Sequence, residues 1–135
     1  MRKITNFILI IFTIILTFTA TACTHAEFKK VKNECLQIAG TIINAENDCF
    51  TLDTYPESYN NMSSELREWL APTTRDNTIK AIKYANDALG FNKSLYNQMV
   101  TTTALMGIQT AENEKYKVTW TYHPNRGLEV TYEIK

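Results

Sequence analysis

Few side chains in this sequence are placed to do covalent chemistry. His123 is one of two histidines and stands in a run of turn formers, His123-Pro-Asn-Arg-Gly127. An imidazole titrates near neutrality and suits a general base. It also needs a nucleophile and an orienting partner in reach, and neither accompanies it at a recognisable spacing. A surface role is expected for His123. Glu65 and Glu68 are three apart, a spacing that sets two carboxyls on one helical face. They suit an acid–base pair, but acidic residues in a first helical turn ordinarily serve the helix dipole. The run Thr101-Thr102-Thr103 offers hydroxyls without an activating group. The tyrosines suit the lining of a glycan or peptide groove, but Tyr122 and Tyr132 alternate with polar residues and read as sheet packing. The expectation is a protein that is not an enzyme and carries no cofactor.

The cysteines are the remaining reactive groups, and their chemistry depends on compartment. Arg2 and Lys3 precede an apolar run, Phe7-Ile-Leu-Ile-Ile-Phe-Thr-Ile-Ile-Leu-Thr-Phe18, followed by Thr19-Ala-Thr-Ala22 and Cys23. A charged start, an apolar middle and a small-residue end are the three parts of a secretory signal, expected over residues 1–22. The apolar run is shorter than the about 20 residues a membrane span needs. The stretch Ala20-Thr21-Ala22-Cys23 resembles a bacterial lipobox, with Ala20 where that motif most often has Leu. The resemblance implies cleavage before Cys23 and acylation of its thiol. Two other outcomes stay open: ordinary signal-peptidase cleavage after Ala22 or Ala26, and an uncleaved N-terminal anchor. Outside the cytoplasm, Cys35 and Cys49 form an even pair once Cys23 is spoken for, and such a pair usually oxidises. A Cys35–Cys49 disulfide is therefore expected, closing a loop of about 15 residues and stabilising by roughly 3 kcal/mol. A structural zinc wants four Cys or His ligands, typically with close spacing. The chain offers Cys35, Cys49, His123 and at most His25, so no metal is expected.

Lysine plus arginine and aspartate plus glutamate both number 14, so the net charge is zero. No basic field is available for a phosphate backbone, which excludes nucleic acid as a partner. The small Lys29-Lys30-Val31-Lys32 cluster reads as a solvated helix face. Asn61-Met-Ser63 and Asn92-Lys-Ser94 match the glycosylation sequon, a match that an Asn-rich chain produces by chance. Residues 23–135 are the length of one exported domain.

The elements that position these groups read as α+β. Phe28, Val31, Cys35, Ile38 and Ala39 keep helical spacing over residues 27–39, and Gly40 stops the helix. Thr41–Ile43 and Cys49–Leu52 read as a short hairpin around a polar turn. Ser63 caps a helix over 64–71 that Pro72 should stop. A second helix is expected from Thr73 or Thr74 to Leu89, ended by Gly90. Residues 92–108 hold Leu95, Met99 and Met106 on one helical face but include a β-branched run, so helix and strand compete, with helix preferred. Lys117–Tyr122 and Leu128–Ile134 alternate strictly and read as an antiparallel hairpin turning within 123–127. Val118, Trp120, Val130 and Ile134 are expected in the core.

Size, export and the lipobox-like stretch together suggest a small bacterial envelope lipoprotein, at the outer membrane or in the periplasm. The expected role is a non-enzymatic binding or assembly accessory factor. Factors that serve secretins, pili or secretion machines, and exclusion or inhibitor lipoproteins, are of this kind. The expected partners are the membrane, through the N-terminal lipid, and another envelope protein or complex. A freely secreted or periplasmic binder without lipid is the alternative, and a small hydrolase ranks last.

Overall fold

Residues 22–135 are described by the structure, a computed structural model. The segment expected as a signal peptide lies, except for its last residue, outside the described residues. Helix α1 (residues 22–39) leads to strand β1 (Cys49–Asp53) and a 3-10 turn over Glu57–Asn61. Helices α2 (Ser64–Ala88) and α3 (Lys93–Val100) follow. A second 3-10 turn, Ala104–Met106, precedes strands β2 (Gln109–Glu112), β3 (Tyr116–His123) and β4 (Gly127–Ile134). The four strands form one antiparallel sheet in the order β1-β4-β3-β2. The fold is α+β.

Alternation decides which face of the sheet meets the helices. Phe50 and Leu52 of β1, Val118 and Trp120 of β3, and Leu128, Val130 and Tyr132 of β4 are all buried in the core. From the helices, Phe28, Val31, Cys35 and Ala39 of α1, Ala81, Ile82 and Ala85 of α2, and Leu95 and Met99 of α3 join them. The Phe28 ring lies 5.2 Å from Phe50 and 5.7 Å from Tyr116, so α1 is tied to two strands by one side chain. Each such fully buried side chain contributes roughly 1.5–3 kcal/mol. The Tyr132 hydroxyl donates to Asn86 Oδ1 at 2.8 Å, which satisfies both buried polar groups and fixes β4 to α2. The opposite face is polar. Thr51, Thr131, Thr119 and Thr110 occupy one register row across all four strands, with Thr51 and Thr131 Oγ1 atoms 2.8 Å apart. Beside that row, Lys117 pairs with Glu133 at 3.1 Å.

The C-terminal hairpin has the expected register, with Tyr122 opposite Leu128 and the turn within 123–127. Val118, Trp120 and Val130 are buried, and Ile134 is half-buried. Ser63 caps α2 by accepting from Leu66 N, and Gly40 and Gly90 end α1 and α2 at φ +80° and +74°. Pro72 does not stop a helix. It lies inside the single 25-residue α2. Its missing N–H deprives the Glu68 carbonyl of a donor, a loss of about 3 kcal/mol. Offsetting ties flank it: Tyr59 hydrogen-bonds Thr74, and Arg67 Nη2 donates to the Met62 carbonyl at 3.1 Å. The expected long helix over 92–108 is also corrected. Asn92 caps it as anticipated, but α3 ends at Val100, where the threonines begin. Thr101 and Thr102 return their hydroxyls to the Asn97 and Gln98 carbonyls, a local bond that competes with helix continuation. The N-terminal hairpin is reduced to one bridge, Ile43 with Thr51, because β1 takes β4 as its ladder partner.

Candidate functional site

A cleft of about 770 Å3 opens where β1 ends, the β3–β4 turn projects and the first half of α2 passes over both. Its floor is the sheet end, lined by Thr54, Gly127 and Leu128, and Arg126 of the turn links it to an ion-pair cluster on the outer sheet face. Asp53 is the last residue of β1, and its side chain is only 1% exposed. A carboxylate so buried must be paired, and Arg126 in the turn supplies Nη2 at 2.8 Å. Asp53 Oδ1 also accepts from Tyr55 N at 2.8 Å. Arg126 reaches Glu129 at 3.4 Å and Glu57 at 3.9 Å, so one guanidinium is shared by three carboxylates. The bond to Asp53 raises the Arg126 pKa beyond its ordinary value.

Thr54 locks the turn to β1. Its hydroxyl accepts from Leu128 N at 2.9 Å and lies 3.0 Å from the Leu128 carbonyl, to which it donates. Gly127 has φ +86°, and a Cβ there would lie 2.5 Å from Thr54 Oγ1. The position therefore needs glycine for both conformation and space.

The cleft walls mix chemistries. Tyr55, Tyr122, Pro72, Ile79, Met99 and Val100 provide apolar and aromatic surface. Glu68, Asp76, Arg75 and Arg126 provide two charges of each sign. Such a lining suits a ligand or peptide segment of no net charge, held by stacking and hydrogen bonds. Several large apolar side chains are exposed on the elements that flank it. Trp69 is 74% exposed and Leu66 lies a turn before it on α2, while Leu105 (99%), Met106 and Ile108 form a lip between α3 and β2, beyond exposed Val100.

Residues singled out by type are dispersed. His123 is exposed at the end of β3, and its side chain makes no hydrogen bond among the described residues. Glu68 enters the cleft wall and Glu65 does not. Thr102 is committed to structure, accepting from Trp120 Nε1 at 2.8 Å. Tyr132 and Tyr116 are buried, as packing requires, whereas Tyr55 and Tyr122 line the cleft. The structure also brings Glu46, Asp48 and Cys49 within 4.8 Å of one another, a grouping unnoticed in the sequence. Their one-residue and two-residue spacing on a polar turn is the only signal for it.

Cys23 is exposed in the first turns of α1. One turn on, Glu27 accepts from Lys115 Nζ at 3.1 Å and from the Tyr116 hydroxyl at 3.0 Å. Cys23 thus lies at the end of the sheet where β3 starts. The cleft lies where β3 finishes, about 25 Å away along an eight-residue strand.

Cys35 and Cys49 are free thiols in the structure. Cys35 faces α2, its Sγ 3.7 Å from the Ala81 carbonyl, and burial pushes its pKa up to about 12. Cys49 shares the outer sheet face with Thr51, its Sγ 3.5 Å from the Asn44 carbonyl. Burial and then Glu46 raise its pKa as well. Strand parity separates the two thiols, since Phe50 and Leu52 are the residues of β1 that meet the helices. The expected bridge needs one thiol to change sides. Iodoacetamide on the folded protein should label Cys49 and spare Cys35 until denaturant is added. A linked Cys35–Cys49 peptide recovered without reduction would overturn that order and restore the bridge.

Among the described residues no helix is long and apolar enough to cross a membrane. Comparison with protein-family models, with curated proteins and with solved structures finds no match to this chain.

Proposed function

We propose that this chain is a small non-enzymatic envelope lipoprotein, held at a bacterial membrane by a lipid on Cys23, that binds another envelope protein or complex as an accessory factor. The observation that carries the reading is the separation of Cys23, beside the start of β3, from the cleft at the end of β3. An acyl group at Cys23 leaves the α1 end of the sheet against the bilayer and turns the cleft outward. The exposed Leu105, Met106 and Ile108 follow one another closely in the chain, and such an apolar patch on a polar surface marks a protein-binding site. The Leu105–Ile108 lip adjoins β2, whose outer edge has no strand partner among the described residues, and an open edge accepts an extended segment of a partner. The role fits assembly factors of secretins, pili or secretion machines, and exclusion or inhibitor lipoproteins.

Labelled palmitate separates this reading from a freely secreted or periplasmic binder. The wild-type chain should incorporate label and fractionate with membranes, and Cys23→Ser should do neither. Incorporation by neither protein, with the wild type recovered in the soluble fraction, would establish the unlipidated alternative.

A further inference from the structure

The wall that α2 gives the cleft is one stripe of the helix. Glu68, Pro72, Arg75 and Ile79 all line it. Their spacings of four, three and four set them nearly in line along the axis. Within a helix, opposite charges pair at spacings of three or four. Glu68 has no cation at such a position: Glu65 is acidic, and Ser64, Ala71 and Pro72 are uncharged. Arg75 has no anion there, with Ala71, Pro72, Thr78 and Ile79 at those positions. Glu68 and Arg75 lie two turns apart, about 10 Å along the axis. They form no ion pair with each other or with any other group among the described residues.

The other charges of the cleft are answered. Arg126 is shared by Asp53, Glu129 and Glu57. Asp76 has Lys80 four residues on, an attracting spacing. Two exposed charges of opposite sign are thus left over on one wall of a cleft of about 770 Å3, a volume within the range of small-ligand sites. Their separation selects the ligand. A free amino acid carries its ammonium and carboxylate too close together to reach both. An extended chain advances about 3.3–3.6 Å per residue, so the two ends of a tripeptide stand about 10 Å apart. That matches the rise from Glu68 to Arg75. Tyr55, Tyr122 and Leu128 at the sheet end offer apolar surface to its side chains, and Asn125 in the turn carries an amide suited to its backbone.

We propose that the cleft binds a short zwitterionic peptide of about three residues, with its ammonium on Glu68 and its carboxylate on Arg75. This goes beyond the accessory role proposed above and needs no lipid on Cys23. It leaves the Leu105–Ile108 lip and the edge of β2 to a protein partner. An internal segment of a protein has neither free end and would not satisfy the two charges.

Titration calorimetry of the full chain with alanyl-phenylalanyl-alanine tests it. The peptide with both ends free should bind. Acetylating its amine or amidating its carboxylate should each weaken binding about tenfold, the worth of one hydrogen bond to a charged group. Neutral substitutions identify the partners. Arg75→Gln should weaken the free peptide about tenfold and leave the affinity for the amidated form unchanged. Glu68→Gln should weaken the free peptide equally and leave the affinity for the acetylated form unchanged. Each unchanged affinity shows that the cleft of that variant is intact. Palmitate incorporation at Cys23 is a separate readout, so failure here leaves the lipoprotein reading standing. No binding of the free peptide, equal binding of the blocked forms, or a loss in either variant that adds to the loss from blocking the matching end would each overturn the proposal.

Discussion

Arg126→Ala is expected to destabilise the fold by about 3 kcal/mol, the low end of the range for breaking a buried ion pair. The reasoning rests on Asp53. Its side chain is 1% exposed, and Arg126 is the cation that pairs with it. Removing the guanidinium leaves a buried carboxylate with one backbone donor, Tyr55 N. The low end applies because Arg126 is itself 34% exposed, so water will replace part of what is lost. Glu57 and Glu129 raise the cost, since both turn from partners of the arginine into uncompensated neighbours of Asp53. Chemical denaturation of the variant measures the loss. Asp53→Asn in the Arg126→Ala background should recover much of it, because the buried charge is gone. A single variant within 0.5 kcal/mol of wild type, the range of ordinary surface substitutions, would mean that Asp53 is not held as a buried ion pair.

What the sequence makes legible follows physical range. The β3–β4 hairpin can be read because two eight-residue strands alternate throughout and turn formers lie between them. The caps at Ser63 and Asn92 can be read because a cap is a local hydrogen bond. Strand β2 cannot. Gln109-Thr-Ala-Glu112 has no apolar alternation and is a strand only because β3 offers it an edge. The passage of α2 through Pro72 is equally hidden, since it depends on Tyr59 and Met62 gripping the helix from outside it. Cys35 and Cys49 are close in sequence, but which side of β1 a thiol occupies is settled by the parity of Phe50 and Leu52, and that parity is settled by pairing with β4. The cleft draws on residues 54–55, 68–79, 99–100 and 122–128, and no window of sequence contains it. Its individual residues carry no motif because its floor is a strand end and a hairpin turn and its walls mix ordinary apolar and charged side chains.

Trp120→Ala should be the most damaging single change, at roughly 3–5 kcal/mol. Trp120 is central in β3, paired with Val130 on one side and Gln109 on the other, and is buried. Two losses combine. Truncating a buried indole removes its transfer free energy and leaves a cavity that the flanking strands cannot close without shifting register. The substitution also deprives the Thr102 hydroxyl of the indole N–H that donates to it at 2.8 Å, in a buried setting. That bond ties the segment after α3 to the sheet, so its loss also frees the chain that leads into the exposed Leu105–Ile108 lip. Trp120→Phe separates the two losses. It keeps most of the volume and loses the hydrogen bond, and should cost only about 1–2 kcal/mol. The two variants compared by denaturant melts give the packing share by difference. An alanine variant no less stable than the phenylalanine variant would show that Trp120 is not packed as described. Proteolysis between Thr103 and Gln109 supplies the second readout. Both variants should be cut faster there than the wild type, because both lose the tie that holds this lip in place for a partner.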